Sequence, residues 1–271
     1  TLRTDTRVEA IDPAAKEVRI GGTALGYAHL VLTTGSIPHR LPPQIGGDLG
    51  GVYTVRSLSD VDSMASEFVD GRRVLIVGGG YIGLEAAAVA ARLGLQVTLV
   101  EMAERILQRV ASPETSDFVN AVHKDEGVII RQGVGLQKLL GDDRVTGAAL
   151  TDGSELEVDF VLVGVGIAPN IKLAEMARLS IDNGIETDAV GRTSDASIWS
   201  AGDCASCPHQ GGRIRLESVG NAIDQAEVVA ENMLGGTTEY HAKPWFWSDQ
   251  FDVKLQIAGL NTGFDLIATR P

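Results

Sequence analysis

The residues with the most specific chemical pattern are three glycines followed by an acid. Gly78, Gly80 and Gly83 match the pattern GxGxxG, and Glu101 comes about 20 residues after the first of them. Glycines at these places permit a tight turn, a close approach of the backbone to a pyrophosphate, and close packing of a helix on a strand. A carboxylate at Glu101 can accept hydrogen bonds from ribose hydroxyls and would repel a 2′-phosphate. The pattern therefore predicts a site for NAD in preference to NADP, whereas the nearby Arg105 argues in the opposite direction.

The elements on either side of these glycines are typical of a βαβ unit. Residues 73–77 are apolar and predict a buried parallel strand, residues 81–93 predict a helix rich in small side chains, and residues 96–100 predict the next strand. A unit of this kind spans about 30 residues and presents the free N–H groups of its helix to a phosphate. This context makes the glycine pattern more specific than it would be alone.

Two other strand ends suggest a second nucleotide site. Thr34 and Gly35 follow a predicted strand at residues 29–32, and Gly202 and Asp203 end a strand within residues 194–203. Each pair combines a small residue with a hydrogen-bonding side chain at a place where a ligand could enter. Taken singly, each pair predicts an ordinary turn.

The remaining patterns predict a mixed α/β chain. Residues 7–11 and 17–20 predict short strands, and Ser112 is expected to cap a helix whose buried face carries Phe118, Val119 and Val122. Other predicted elements are a hairpin at 145–150 and 156–158, a core strand at 160–165, a helix at 221–234 and a strand at 265–269.

Composition narrows the class of protein. The 271 residues carry 36 acidic and 23 basic side chains, a net charge of −13, which disfavours a general role on nucleic acid or anionic membranes. No apolar run is long enough to span a membrane, and we expect a soluble, cytoplasmic protein. The only two cysteines, Cys204 and Cys207, are too few for an iron–sulfur cluster and are expected to be packed thiols. No residue spacing predicts a metal site.

The chain resembles the FAD-dependent NADH:ferredoxin reductases of bacterial oxygenase systems, the putidaredoxin reductase type. The resemblance covers essentially every residue and rests on these segments: 30–35 (LVLTTG), 77–85 (VGGGYIGLE), 164–170 (GVGIAPN), 193–195 (TSD), 201–205 (AGDCA), 217–226 (ESVGNAIDQA) and 244–250 (PWFWSDQ). It implies an α/β fold with two Rossmann-like dinucleotide-binding domains, as in glutathione reductase, and the NAD domain inserted in the FAD domain. The implied domains are 1–50 and 167–243 for FAD, 51–166 for NAD(H), and 244–271 for the start of a truncated C-terminal α/β domain. The first FAD-binding βαβ unit of the family would be absent.

The resemblance also implies roles for individual residues. For FAD they are Val8, Thr34, Gly35, Arg56, Gly202, Asp203, Ser218 and Val219. For NAD they are Gly78, Gly80, Tyr81, Ile82, Gly83, Glu85, Glu101 and Gly166. Glu85, as an acid on the nicotinamide side, and Trp247, near the flavin and the ferredoxin-facing surface, are the candidates for a catalytic role.

The activity implied is transfer of electrons from NADH through FAD to a 2Fe–2S ferredoxin, which would serve a cytochrome P450 or a Rieske oxygenase. We expect a monomer or a homodimer. Two alternatives remain: a disulfide or peroxide reductase of the same fold, and an NADH-sensing flavoprotein similar to apoptosis-inducing factor. The segment 244–250 argues against the first, and rapid turnover with a ferredoxin would exclude the second.

Overall fold

The computed structural model describes residues 1–270, and these form two compact units. The first unit contains residues 1–37, 168–246 and 257–259, and the second contains residues 38–167, 247–256 and 260–270. The second unit is thus largely an insertion in the sequence of the first.

Short strands outnumber helices in the described chain. The helices are α1 (Leu58–Met64), α2 (Tyr81–Arg92), α3 (Pro113–Asp125), α4 (Lys172–Met176) and α5 (Val219–Met233), with 3-10 turns at Pro43–Ile45 and Ala65–Glu67. The strands are β1 (Ala10–Asp12), β2 (Glu17–Ile20), β3 (Thr23–Gly26), β4 (Leu30–Leu32), β5 (Ser36–Pro38), β6 (Val52–Thr54), β7 (Arg73–Val77), β8 (Gln96–Glu101), β9 (Ile129–Gln132), β10 (Leu136–Gly141), β11 (Val145–Leu150), β12 (Glu155–Glu157), β13 (Phe160–Val163), β14 (Ile167–Pro169), β15 (Ile185–Glu186), β16 (Ile198–Ser200), β17 (Ala205–His209), β18 (Gly212–Ile214), β19 (Trp245–Gln250) and β20 (Val253–Ala258).

The second unit is built on a five-stranded sheet in the order β6-β13-β7-β8-β9, and all of its strand pairs are parallel. Its central strands are apolar on both faces, as expected for a parallel sheet that is covered on both sides. In β7, Val74 and Ile76 face a core shared with α2 and α3. Leu75 and Val77 face a second core shared with the antiparallel sheet β10-β11-β12. Three layers therefore hold the end of β7 in place.

The first unit combines several small sheets. Strands β1, β2 and β3 form an antiparallel sheet, and β4 pairs with β16 in parallel. One core contains Ile11, Leu32, Ile198 and Cys204, and a second contains Trp199, which packs against Val229 of α5. This packing brings the end of β4 beside the end of β16.

The predicted βαβ unit is confirmed, with β7 at Arg73–Val77, α2 at Tyr81–Arg92 and β8 at Gln96–Glu101. The cap of α3 is also as predicted, because the Ser112 side chain accepts a hydrogen bond from the backbone N–H of Thr115. Pro113 follows at the first helical position, and Gly127, just beyond the end of the helix, adopts φ +83°. These boundaries follow from local residue types alone.

Two expectations are wrong, and one observed strand was missed. Phe118 is not on the buried face of α3 and is 54% exposed, because the buried positions belong to Ser116, Val119 and His123. Residues 265–269 form no strand. Strand β3 (Thr23–Gly26) was not predicted, since all four of its residues are exposed and it lacks an alternating apolar pattern.

Gly83 provides a test of the packing at the end of β7. A Cβ added to Gly83 would lie 2.0 Å from the Gly78 carbonyl oxygen, whereas a Cβ on Gly80 would meet no atom within 4 Å. Helix propensity alone would favour alanine at position 83 by about 1 kcal/mol, but the overpacking costs more. We therefore expect Gly83→Ala to lower the free energy of unfolding by about 2 kcal/mol, measured by chemical denaturation. Gly80→Ala is the matched control and should change it by less than about 1 kcal/mol. A Gly83→Ala chain as stable as wild type would contradict the account.

Candidate functional site

The glycine loop after β7 has close backbone contacts at two of its glycines and open space at the third. Gly78 adopts φ +110°, and a Cβ there would lie 2.4 Å from the carbonyl oxygen of Gly164. Gly83 brings α2 against the Gly78 carbonyl in the same way. Gly80, in contrast, is the N-cap of α2 without a side-chain cap and faces open space. Two glycines therefore serve packing, and the third leaves room for a ligand at a helix N-terminus, where an anion is stabilised.

Glu101 is held against this loop by both of its carboxylate oxygens. Oε2 accepts a hydrogen bond from the backbone N–H of Gly79 at 2.7 Å, and Oε1 accepts one from the backbone N–H of Ala103 at 2.7 Å. Each oxygen keeps a further lone pair for another donor. The acid therefore braces the glycine loop and can still accept from a sugar hydroxyl.

None of the described hydrogen bonds of Arg105 is made to Glu101. Its guanidinium donates to the Ala111 carbonyl at 2.9 Å, to Ser116 Oγ and to the Gln108 carbonyl at 3.2 Å. These bonds direct its donors to the segment that leads into α3. The Arg105 guanidinium, which could have favoured the 2′-phosphate of NADP, therefore makes its hydrogen bonds within the protein.

The strand order places this loop where a nucleotide is expected. Strand β7 has β8 on one side and β13 on the other, so the direction of the connections reverses at β7. Ligands of open α/β sheets bind beyond the carboxyl ends of the strands at such a point. The segment after β13 also turns here: Gly166 adopts φ +99°, and its carbonyl accepts from the His39 backbone N–H at 3.0 Å.

The other residues predicted on α2 differ in exposure. Tyr81 is partly buried and packs against the core, and burial raises the pKa of its phenol. Ile82 is exposed. Glu85 lies one turn further along the helix and is partly buried.

Glu85 ends a chain of buried hydrogen bonds that leads to the C-terminal segment. Its Oε1 accepts from Ser248 Oγ at 2.6 Å, and Ser248 Oγ accepts from Gln250 Nε2 at 3.0 Å. Gln250 Oε1 lies 2.9 Å from Nε2 of His123 on α3. Trp247, the neighbour of Ser248, is 41% exposed. Strand β19 is therefore joined to α2 and to α3 through polar groups.

The first unit brings together the two strand ends that were predicted to form a site. The Asp203 carboxylate accepts from Ser36 Oγ at 2.8 Å, so the segment after β16 meets the segment after β4. Thr34 Oγ1 donates to the Asn170 carbonyl at 2.5 Å, and the Asn170 N–H donates to the Gly35 carbonyl at 2.9 Å. Gly35 adopts φ +66°.

The start of α5 lies beside these residues. Gly202 adopts φ +80° and donates its N–H to Gln225 Oε1 at 2.8 Å, which ties the end of β16 to α5. Ser218 is the N-cap of α5 and accepts from the Asn221 N–H at 3.3 Å. Val219, the first helical residue, is exposed. The positive end of a 15-residue helix is thus available near Gly202 and Asp203.

Two residues predicted for the FAD site lie in different units. Val8 belongs to the first unit and packs, partly buried, against its core. Arg56 belongs to the second unit and is exposed, and its backbone N–H donates to Asp60 at the start of α1.

The two cysteines are packed thiols. Cys204 and Cys207 are free and only 0% and 5% exposed, and burial raises the pKa of the Cys207 thiol. Across residues 1–270, no three His, Cys, Asp or Glu side chains are grouped so that they could hold a metal ion. Over the same residues, no helix has the length and apolar character to cross a membrane.

Sequence reasoning missed the polar partners of the predicted residues. Ser36, Gln225, Ser248 and His123 each make a hydrogen bond to another segment of the chain. Gln225 lies in the segment 217–226 and Ser248 in the segment 244–250, but the neighbouring residues do not indicate which side chains they would contact. His123 has no ligand spacing in the sequence, and it occupies a fully buried core position on α3.

His123 gives the second unit a stability that depends on pH. Burial lowers the pKa of His123 below its ordinary value of 6.5, so the folded protein keeps the ring neutral while the unfolded chain binds a proton. Stability is therefore retained above about pH 6.5 and falls as the pH drops below it. We expect wild type to lose more unfolding free energy between pH 7 and pH 5 than His123→Gln, measured by denaturation at each pH. Equal losses in the two proteins would show that His123 does not titrate in this way.

Known proteins share both the sequence and the fold. The family model described as Pyridine nucleotide-disulphide oxidoreductase matches residues 1–226, and the model described as Reductase C-terminal matches residues 245–271. The ferredoxin–NAD(P)(+) reductase of Sphingomonas sp. is 44% identical over 264 residues, which are 95% of this chain and 64% of that protein. The anthranilate 1,2-dioxygenase system ferredoxin–NAD(+) reductase component of Burkholderia cepacia is 40% identical over 263 residues, which are 96% of this chain and 64% of that protein.

A solved structure shows the same arrangement of elements. The crystal structure of the covalent putidaredoxin reductase–putidaredoxin complex superposes with a TM-score of 0.92 at 38% identity, and the match covers 96% of this chain and 64% of that one. The chain thus spans a little less than two thirds of these relatives. From the βαβ glycine loop, the strand order and these matches, we conclude that the chain belongs to the pyridine nucleotide-disulphide oxidoreductase family.

Proposed function

We propose that this chain provides the NADH site and part of the FAD site of a reductase that passes electrons from NADH through FAD to a 2Fe–2S ferredoxin. The observation that carries the NADH site is the open position at Gly80, at the uncapped start of α2 and beside the braced Glu101. The acceptor is proposed because similar reductases are named for ferredoxins and for a dioxygenase system. The final oxygenase would be a cytochrome P450 or a Rieske enzyme.

The NADH site would use the second unit. The backbone of Gly78, Gly80 and Gly83, with the first residues of α2, Tyr81 and Ile82, would hold the pyrophosphate at the positive end of the helix. Glu101 would accept from the adenosine ribose. Gly166 and Glu85 would border the nicotinamide half of the cofactor.

The FAD site would use residues of the first unit. Asp203, oriented by Ser36, would accept from the ribityl chain or its phosphate end, and Thr34, Gly35 and Gly202 would let the cofactor approach the backbone. Ser218 and Val219 would present the start of α5 to the pyrimidine edge of the flavin, where the helix stabilises negative charge. Val8 would contact the adenine side, and Arg56 is proposed as a further FAD-binding residue.

A bound FAD would supply the chemistry that converts the two-electron oxidation of NADH into one-electron steps for the ferredoxin. This chain's residues need supply no acid–base pair for that reaction. They bind the two cofactors, orient them and exclude water. Trp247 would shield the flavin or border the path of the electrons to the ferredoxin.

The disulfide or peroxide reductase alternative receives no support from the cysteines of this chain. Cys204 and Cys207 are both buried, so residues 1–270 offer no accessible thiol to a disulfide substrate. The NADH-sensing alternative would oxidise NADH slowly. Rapid turnover with a ferredoxin would therefore distinguish the proposed reductase from it.

The charge of Glu101 should set the choice between NADH and NADPH. Glu101→Gln keeps the size of the side chain but removes the charge that repels a 2′-phosphate. We expect the preference for NADH over NADPH to narrow by about tenfold, measured as the ratio of their dissociation constants. The matched control is Glu104→Gln, which removes an exposed charge three residues away and should leave the ratio unchanged. An unchanged ratio in Glu101→Gln would contradict the ribose assignment.

Asp203 should control retention of FAD. In a complete reductase that contains this chain, Asp203→Asn removes a charged hydrogen-bond acceptor, and we expect FAD affinity to fall by about tenfold. The ratio of flavin to protein absorbance after gel filtration measures the loss. Asp224→Asn, which changes an exposed acid on α5, is the control. A normal flavin content in Asp203→Asn would refute the assignment.

A further inference from the structure

Strand β19 has a buried face that is polar. Ser248 and Gln250 are 1% and 3% exposed, whereas Trp247 and Asp249 on the other face are exposed. A strand face packed against helices is normally apolar, because a buried polar group without a partner loses its hydrogen bonds to water. The polar face therefore needs partners within the protein, and the chain of bonds to Glu85 and His123 supplies them.

The chemistry of the groups gives this chain of bonds one direction. At the end of this chain, the Ser248 hydroxyl donates to a carboxylate oxygen of Glu85. The Ser248 oxygen then accepts from the amide nitrogen of Gln250, which turns the amide oxygen toward His123. That oxygen only accepts, so His123 carries its proton on Nε2. Every donor in the chain thus points toward Glu85.

The segment that carries Ser248 has separate anchors. Arg92, at the end of α2, pairs with Asp252 at 2.6 Å, and its guanidinium lies 5.8 Å from the centre of the Phe251 ring. His123 packs edge-on against Phe251 with the ring centres 5.0 Å apart. These contacts hold the β19–β20 turn on α2 and α3 without the Ser248 hydroxyl. Loss of the Ser248 hydroxyl would therefore leave these anchors in place.

A glutamate side chain loses rotamer freedom when one oxygen is fixed, and this ordering costs free energy. A buried polar chain also adds little net stability over apolar packing. Both costs are explained if the Glu85 carboxylate has to be kept in one orientation. Glu85 lies on α2 just after the glycine loop, whereas Glu101, proposed for the adenosine ribose, contacts the loop at Gly79.

We propose that Ser248 is a positioning residue whose hydroxyl, oriented by Gln250 and His123, fixes the Glu85 carboxylate toward the nicotinamide half of NADH. The inference rests on the proposed NADH site. It extends that site from the glycine loop to Ser248 in the C-terminal segment. Ser248 lies 163 positions after Glu85 in the sequence.

The test compares two ligands on this chain: NADH, and ADP-ribose, which has the same adenosine and pyrophosphate but no nicotinamide. Ser248→Ala removes the donor, and Ser248→Thr keeps a hydroxyl. We expect Ser248→Ala to weaken NADH binding by about tenfold and to leave ADP-ribose binding unchanged, because one charge-assisted hydrogen bond is lost on one side of the site only. Ser248→Thr should restore most of the NADH affinity. In a Glu85→Gln background, Ser248→Ala should add little further loss.

The outcomes separate this inference from the function on which it rests. If wild type binds both ligands and Ser248→Ala weakens both equally, or neither, the positioning role is overturned and the NADH site stands. Full additivity of Ser248→Ala and Glu85→Gln would overturn it as well. If wild type binds neither ligand, the NADH site itself is overturned, and the positioning role with it.

Discussion

The close approach of three backbone segments at the carboxyl end of β7 is the constraint on which the rest of the second unit depends. Gly78 lies against Gly164 after β13, and Gly83 on α2 lies against the Gly78 carbonyl, with no space for a Cβ at either glycine. This contact sets the distance between helix and sheet. It also aims the first turn of α2 at the space beside Gly80, where an anion gains from the helix dipole. Larger residues here would change the position of the helix and the shape of the site together.

Hydrogen bonds also fix the two acidic side chains, Glu101 and Asp203, that are predicted to bind cofactors. Glu101 accepts a hydrogen bond from the Gly79 N–H with one carboxylate oxygen and from the Ala103 N–H with the other. In the first unit, Ser36 holds Asp203 in a comparable way. Both acids are thus held in place by hydrogen bonds within the protein, and preorganisation of this kind reduces the ordering cost of binding a ligand. A reductase that transfers hydride between two cofactors depends on such orientation more than on acid–base groups.

Local patterns predicted the βαβ unit from residue 73 to residue 101, because its strand, glycine loop and helix each follow from neighbouring residues. They also predicted the cap of α3 at Ser112. They could not predict that Ser248 meets Glu85 or that Gln250 meets His123, since 163 and 127 positions separate these pairs and only tertiary packing joins them. Phe118 was misplaced for a related reason: its apolar character indicated burial, but the polar His123 takes the core position on the same helix. The periodicity of apolar residues therefore located the helices better than it located their buried polar groups.

The central claim is that electrons pass from NADH through FAD to a ferredoxin, and an anaerobic titration tests it most directly. A complete reductase that contains this chain would be titrated with NADH while the flavin absorbance is followed, and an oxidised 2Fe–2S ferredoxin would then be added. The account predicts that NADH bleaches the flavin absorbance and that the ferredoxin restores it. Bleaching without recovery would contradict the ferredoxin acceptor, and the absence of bleaching would contradict hydride transfer from NADH.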